Sequence, residues 1–355
     1  MTAGVRPVPT GRRRTWMART LVAASMALTG CGTALGGAKA GSPPAAMQRQ
    51  DPATAPARAG VLTRPSSPVP ATAATTSTVP PPTATTSSGP AITGAPPDQP
   101  GWTALYATSS ATVVDRRTVT LPDGASVTVA RFRAGLTRFV LHVGRQDPPS
   151  AGLAVPAANG PAIASSERPL LLAAFNGGFK TSTGVGGFEV AGSVLVPLRD
   201  GYESLVIDSD GTAHIGTWQQ GLPAPGEQVA AVRQNLGPLV EGGVPSPAID
   251  DVAAWGAPLG GVRSGARSAL GESPQGDLLD AGSMHALPSD MAQALVDAGA
   301  RDAMELDINP EWVQLDLAAS PGGRLSAAIP GQSRPADQYL SGWTRDFVTV
   351  MAASG

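Results

Sequence analysis

Apolar and polar positions alternate over many short stretches of this chain, and one stretch keeps a helical period. "TVTLPDGASVTVARF" is two alternating runs on either side of Asp123-Gly124, the pattern of a hairpin. "RFVLHVG" predicts a further strand, and "ESLVIDSDGTAHIGTW" a second hairpin around Asp210-Gly211. The unbroken run "LLLAAF" predicts a strand buried on both faces. A helix is predicted just before residue 300: Ser289 or Asp290 caps its start, Met291, Leu295 and Ala298 form an apolar stripe, and Gly299 ends it. "AMELDINPEW" follows directly. There Met304, Leu306 and Ile308 alternate with Glu305, Asp307 and Asn309, so a strand would place two carboxylates and an amide on one face. "SGWTRDFVTVMA" alternates like a closing strand near the C-terminus. Many strands followed by one clear helix predict an α+β fold: a strand-rich mixed sheet domain with few helices.

Composition divides the chain. Residues 1–30 carry Arg6, Arg12, Arg13, Arg14 and Arg19 and no acid, followed by the short apolar run Leu21 to Leu28. This is the form of an export signal, with an apolar segment too short to span a bilayer. "LTGC" then has the form of a bacterial lipobox, with Cys31 as the lipidated residue. Cys31 is the chain's single cysteine, so an intramolecular disulfide is impossible. "RRTWM" also fits a twin-arginine pattern loosely, which leaves the export route open. Residues 31–100 are rich in Pro, Ala, Ser and Thr, as in "TSTVPPPTATTSSGP". Such sequence buries too little apolar surface to offset the entropy of ordering, and predicts a disordered spacer. Residues 101–355 form the predicted folded domain, within the size range of one unit. The predicted location is the outer face of the bacterial cell membrane, held through Cys31.

Charge narrows the partners. The formal net charge is −2 with the leader's five arginines included, so the remainder is more acidic still. That argues against non-specific nucleic-acid binding, and an anionic ligand would need a local arginine pocket. His142, His214 and His285 are far apart and lack metal-ligand spacing; no HExxH, CxxC, G-x-S-x-G elbow or P-loop is present. No metal ligand and no cofactor is therefore assigned, and a metal requirement stays open. Asp208-x-Asp210-Gly211 reads as a turn, since the remaining ligands of a calcium loop are missing.

Three segments stand out. "AAFNGGFK" ends a buried run in Asn176, Gly177 and Gly178, where paired glycines permit positive φ or a close approach. "GVRSGARSALGES" places Arg263 and Arg267 at the entry to a strand, and a guanidinium fork suits carboxylate or phosphate oxygens. The third is the acidic stretch around Asp307. Taken in this order, the segments resemble the phosphodiester glycosidase domain family over roughly residues 165–310. Asn176-Gly177-Gly178-Phe179 matches its Asn-Gly-Gly-Phe, and Arg267-Ser268-Ala269-Leu270-Gly271 matches its Arg-Thr/Ser-Ala-Ile/Leu-Gly. Gly299-Ala300 and Leu306-Asp307 match the family's later helix end and strand. The chain departs from the family after Asp307, where Ile308-Asn309-Pro310-Glu311 replaces Gly-Gly-Gly-Ser, and at Glu305, where the family commonly has Asn.

The resemblance implies a pocket that cleaves a sugar 1-phosphodiester. Its expected catalytic residues are Asp307 or Glu305 as base or nucleophile, with Arg267 on the phosphate. Expected substrate contacts are the motif matches Asn176, Gly177 and Gly178 and, from their position beside the motifs alone, Arg263, Asn309, Glu311 and Trp312. The implied partner is a carbohydrate or glycan phosphodiester, with the membrane reached through the lipid anchor. The alternative is a non-catalytic glycan-binding lipoprotein that keeps the fold but not the glycine-rich site.

Overall fold

The computed structural model describes residues 100–150, 152–256 and 263–353. The signal, Cys31 and the spacer lie outside the described residues. Within them, eighteen strands form three sheets, and the helices are Pro288–Asp297 and Gln338–Ser341. The fold is thus mostly β. All ladders between these strands are antiparallel. Outside these strands, an isolated parallel bridge joins Trp218 and Leu222. The expectation of mixed sheets is therefore corrected. Six neighbouring pairs are joined by tight turns, which suit antiparallel pairing, and among the described residues no crossover helix links parallel strands.

The eight-stranded sheet runs in space as Thr103–Ala107, Thr112–Thr120, Ser126–Phe132, Leu278–Ala286, Gly265–Glu272, Asp302–Glu305, Val240–Glu241 and Val244–Pro245. Its predicted hairpin turns at Asp123-Gly124, where Gly124 has φ +88°. One five-stranded sheet orders Ser193–Val196, Phe188–Val190, Val229–Asn235, Glu203–Asp208 and Ala213–Thr217. The other orders Ser326–Ala327, Leu315–Leu317, Leu171–Asn176, Phe347–Ala352 and Thr137–His142.

A large apolar cluster joins all three sheets, with Phe132, Phe175, Phe188, Leu205, Leu270 and Val350 among its buried members. The Phe132 and Phe175 rings stack at 6.3 Å, and Phe139 meets Phe132 edge-on at 6.1 Å, arrangements that add to simple burial. A second cluster seats the long helix. Met291, Leu295 and Ala298 pack on Val127, Val129, Leu279 and Ala281 of the eight-stranded sheet, so the 3.6-period stripe is the buried one. Asp290, rather than Ser289, secures the helix start by accepting the Leu287 N–H at 2.8 Å. Gly299, at φ +99°, lets the chain leave.

This arrangement fixes where the motifs meet. The strand Leu171–Asn176 is fully buried at the centre of its sheet, and its last residue emerges beside the eight-stranded sheet. There the Asn176 amide donates to Ser268 Oγ at 2.8 Å.

Candidate functional site

Backbone pairing carries Asp307 into place. The strand Asp302–Glu305 ends before the alternation does, yet pairing continues: the Leu306 N–H donates to Ser268 O at 2.8 Å and the Ser268 N–H to Asp307 O at 2.9 Å. Asp307 Oδ1 then accepts the N–H groups of Ile308 (2.7 Å) and Asn309 (2.8 Å). This local turn competes with the ladder and ends the strand earlier than alternation predicts. Asn235 braces the same segment by donating to the carbonyls of Glu305 (2.6 Å) and Leu306 (2.9 Å).

Each of the two carboxylates faces an arginine. Glu305 is 2% exposed and pairs through Oε1 with Arg267 Nη1. Arg267 is itself fully buried and donates to the Trp255 carbonyl at 3.0 Å. Asp307 is 3% exposed, and its Oδ2 lies 3.5 Å from Arg345 Nη2. Arg345 also donates to the Gly178 carbonyl at 2.8 Å and lies 3.1 Å from Asp147 through Nε. The half-buried Trp312 ring covers its guanidinium at 4.1 Å, and the Lys180 ammonium sits 4.9 Å from that ring. Such cation–aromatic contacts hold both groups in place.

The glycine corner is a matter of close approach. A Cβ on Gly177 would lie 2.0 Å from Asp346 Oδ2, and one on Gly178 would lie 2.8 Å from Arg233 Cζ. Asp346 uses that space to accept the Gly178 N–H at 3.2 Å and Arg233 Nε at 2.7 Å. Neither glycine has a positive φ, so any side chain there is excluded by contact alone.

Burial dominates the electrostatics. It pushes Glu305 up to about 8, with Arg267 pulling the other way. It pushes Asp307 up to about 6, opposed by Arg345 and by the two backbone N–H groups. Four buried atoms of this cluster have no hydrogen-bond partner: Arg267 Nε, Glu305 Oε2, Arg345 Nη1 and Asp346 Oδ1. Buried polar atoms are normally satisfied, and each orphan is unfavourable by about 1–3 kcal/mol. Both carboxyls are thus pushed up, Glu305 further than Asp307, with unpartnered donors and acceptors beside them.

Asn176, Gly177, Gly178, Arg267, Glu305 and Asp307 thus come together, but not all with free functional groups. The Asn176 amide is committed to Ser268 and to the Gly177 carbonyl, while its Oδ1 accepts the Gln314 N–H at 2.9 Å. Arg267 presents no surface to a solute. Arg263 is exposed on the loop entering the strand. Glu311 is exposed and pairs with Arg334 at 2.7 Å, and Asn309 turns back to accept the Glu311 N–H. Trp312 reaches the cluster, through Arg345. None of Arg345, Asp346, Arg233 and Asp147 was assigned to the site from the sequence. The signal was present in "WTRDF", where an adjacent arginine and aspartate precede an apolar strand. His142 stacks on Phe347 at 4.3 Å and is fully buried, a packing residue that burial pushes down to about 4.

No protein-family model matches the sequence, and no curated protein matches it. Among solved structures the chain is similar to the catalytic domain of zebrafish N-acetylglucosamine-1-phosphodiester alpha-N-acetylglucosaminidase, auto-inhibited by its pro-peptide. Identity is 17% and the TM-score 0.45, over 71% of this chain and 88% of that one. It is also similar to a hypothetical protein from Synechocystis, at 15% identity and TM-score 0.39, over 68% of this chain and 63% of that one. Both are distant similarities of fold.

Proposed function

We propose that the protein is a cell-envelope hydrolase that cleaves a sugar 1-phosphodiester bond in a glycopolymer or glycolipid, anchored outside the cell through Cys31. The observation that carries this reading is the meeting of the three sequence motifs at one buried cluster with orphaned polar atoms. Unsatisfied groups and raised carboxyl pKa values gather at catalytic centres more than at structural ones.

The burial of Arg267 moves the phosphate-holding role to Arg345. Its Nη1 is free of partners and it lies beside Asp307. Asp307, the lower of the two carboxyls, is ionised at neutral pH and serves as base. It takes a proton from water as the water oxygen bonds the anomeric carbon. The bond from that carbon to the phosphate oxygen breaks, and its electron pair leaves with the phosphomonoester. Glu305, protonated at neutral pH with Oε2 unpartnered, gives its proton to the departing oxygen. Arg345 stabilises the charge that develops there. Arg267 holds Glu305 in position, Asn176 ties the glycine corner to Ser268, and the half-buried Trp312 supplies stacking surface for the sugar.

The near-complete burial of both acids favours one other reading, a glycan-binding lipoprotein without turnover. The purified full-length protein should hydrolyse a synthetic sugar 1-phosphodiester. Asp307→Asn and Arg345→Ala should each lower turnover by about 10³-fold with the fold intact. Wild-type rates in both variants would end the assignment, and glycan binding with no turnover in any form selects the second reading.

A further inference from the structure

A different group of charged side chains gathers on the five-stranded sheet that carries the hairpin of Glu203–Asp208 and Ala213–Thr217. His214 projects between two acids. Its Nε2 lies 4.0 Å from Asp208 Oδ2 and 3.9 Å from Glu227 Oε1, and the three donor atoms all fall within 4.8 Å of one another. The other ring nitrogen, Nδ1, lies 3.1 Å from Glu272 Oε1. Glu272 is itself fixed, because its Oε2 accepts the Ile215 N–H at 2.8 Å.

The spacings matter. A protonated imidazole bonding either acid would close to about 2.7–3.0 Å, and neither contact does so. A metal ion with bonds of about 2.0–2.2 Å draws its ligand atoms to roughly 3–4 Å apart, and the two His214 contacts lie at the upper end of that range. Among the described residues, the one basic group within 4 Å of Asp208 or Glu227 is His214, and the two carboxyls lie within hydrogen-bonding reach of each other. The Glu227 side chain is only 9% exposed. Asp208 Oδ1 is likewise buried and without a partner. A carboxylate holding the far nitrogen of an imidazole is the usual outer partner of a metal-bound histidine. Beside the cluster, a cavity of about 370 Å³ lined by His214, Glu227, Glu272 and Glu203 leaves room for water or another ligand to complete the coordination.

We propose that Asp208, His214 and Glu227 bind one divalent transition cation, zinc or manganese, and that Glu272 orients the imidazole. One nitrogen and two carboxylate oxygens match the preferences of those ions better than the all-oxygen sets of calcium or magnesium. The site is independent of the reaction proposed at Asp307, and its test reads binding rather than turnover.

The full-length protein, stripped with chelator, is dialysed against Mn²⁺ or Zn²⁺. Bound metal is then counted and the Mn²⁺ signal followed by electron paramagnetic resonance. One ion per chain is expected for at least one of the two metals. Asp208→Asn combined with Glu227→Gln should weaken binding at least 100-fold, and Glu272→Gln about 10- to 100-fold, with circular dichroism confirming that each variant is folded. Failure of both metals to bind at one per chain overturns the proposal. So does full affinity in the double variant, which would place the ion elsewhere.

Discussion

Glu305 and Asp307 each face an arginine, whereas Asp208 and Glu227 face only His214. Both groups stand on antiparallel sheets of one domain, and in both burial raises carboxyl pKa values. They differ in what compensates the charge. Guanidinium stays protonated at any pH the protein meets, so an arginine-paired acid is held permanently in one place. An acid that faces an imidazole has a partner whose charge comes and goes, and it can exchange that partner for an ion. The first arrangement suits chemistry at a fixed point, and the second suits reversible binding.

The largest expected effect tests the first half of the contrast. Asp307→Asn keeps an oxygen to accept the Ile308 and Asn309 N–H groups, so the turn survives while the base is lost. Turnover of a sugar 1-phosphodiester should fall by about 10³-fold or more, with an unchanged urea midpoint. A parallel drop in stability would mean that Asp307 is a structural acid. Next in size is Arg267→Ala. With Glu305 protonated at neutral pH, removing the guanidinium leaves a buried acceptor without its donor, and should lower unfolding free energy by about 1–3 kcal/mol. Glu305→Gln keeps an acceptor for the guanidinium and should have a much smaller effect. A loss below about 1 kcal/mol in Arg267→Ala would show that the pair does not hold Glu305 in position.

The pH profile sharpens the same point. Asp307 must be ionised to act as base, so kcat/KM should rise about tenfold per pH unit up to about 6. Glu305 must be protonated to act as acid, so activity should decline above about 8. The alkaline limb should vanish in Glu305→Gln if that variant retains measurable turnover. A profile flat from pH 5 to 9 would remove both assignments.

Local patterning made most of the scaffold legible. The Asp123-Gly124 and Asp210-Gly211 hairpins, the buried strand ending at Asn176 and the stripe Met291, Leu295, Ala298 all follow from periods of two or 3.6 and from turn residues. The strand through Asp307 was legible only in part. Alternation cannot reveal that an aspartate will fold back on its own backbone and end the ladder. Nor can it reveal that Asn176, a plain polar end to an apolar run, would tie two sheets together. The partner of each acid was out of reach for a different reason. Glu305 lies 38 residues from Arg267, and Asp307 lies 38 from Arg345, and pairing over such separations depends on the sheet order. The same holds for His214. It was set aside for want of ligand spacing, yet the hairpin and the following strand bring Asp208 and Glu227 to it.

The smallest effect is the one that separates the two groups by sign. In metal-free protein at pH 8, neutralising Asp208 and Glu227 together relieves repulsion between like charges that no arginine offsets. Asp208→Asn with Glu227→Gln should then stabilise the fold by roughly 0.5–1 kcal/mol, read as a higher melting temperature. At the arginine-paired cluster, neutralising an acid brings no such gain: Asp307→Asn should leave stability unchanged. Adding zinc or manganese should reverse the order at the hairpin. An ion present at a hundred times its dissociation constant stabilises the wild type by about 2.7 kcal/mol, and the double variant cannot share in it. If the variant is less stable than wild type in chelator as well, His214 already compensates both acids as a protonated imidazole. The contrast drawn between the two regions then fails, because each would be neutralised by a resident cation.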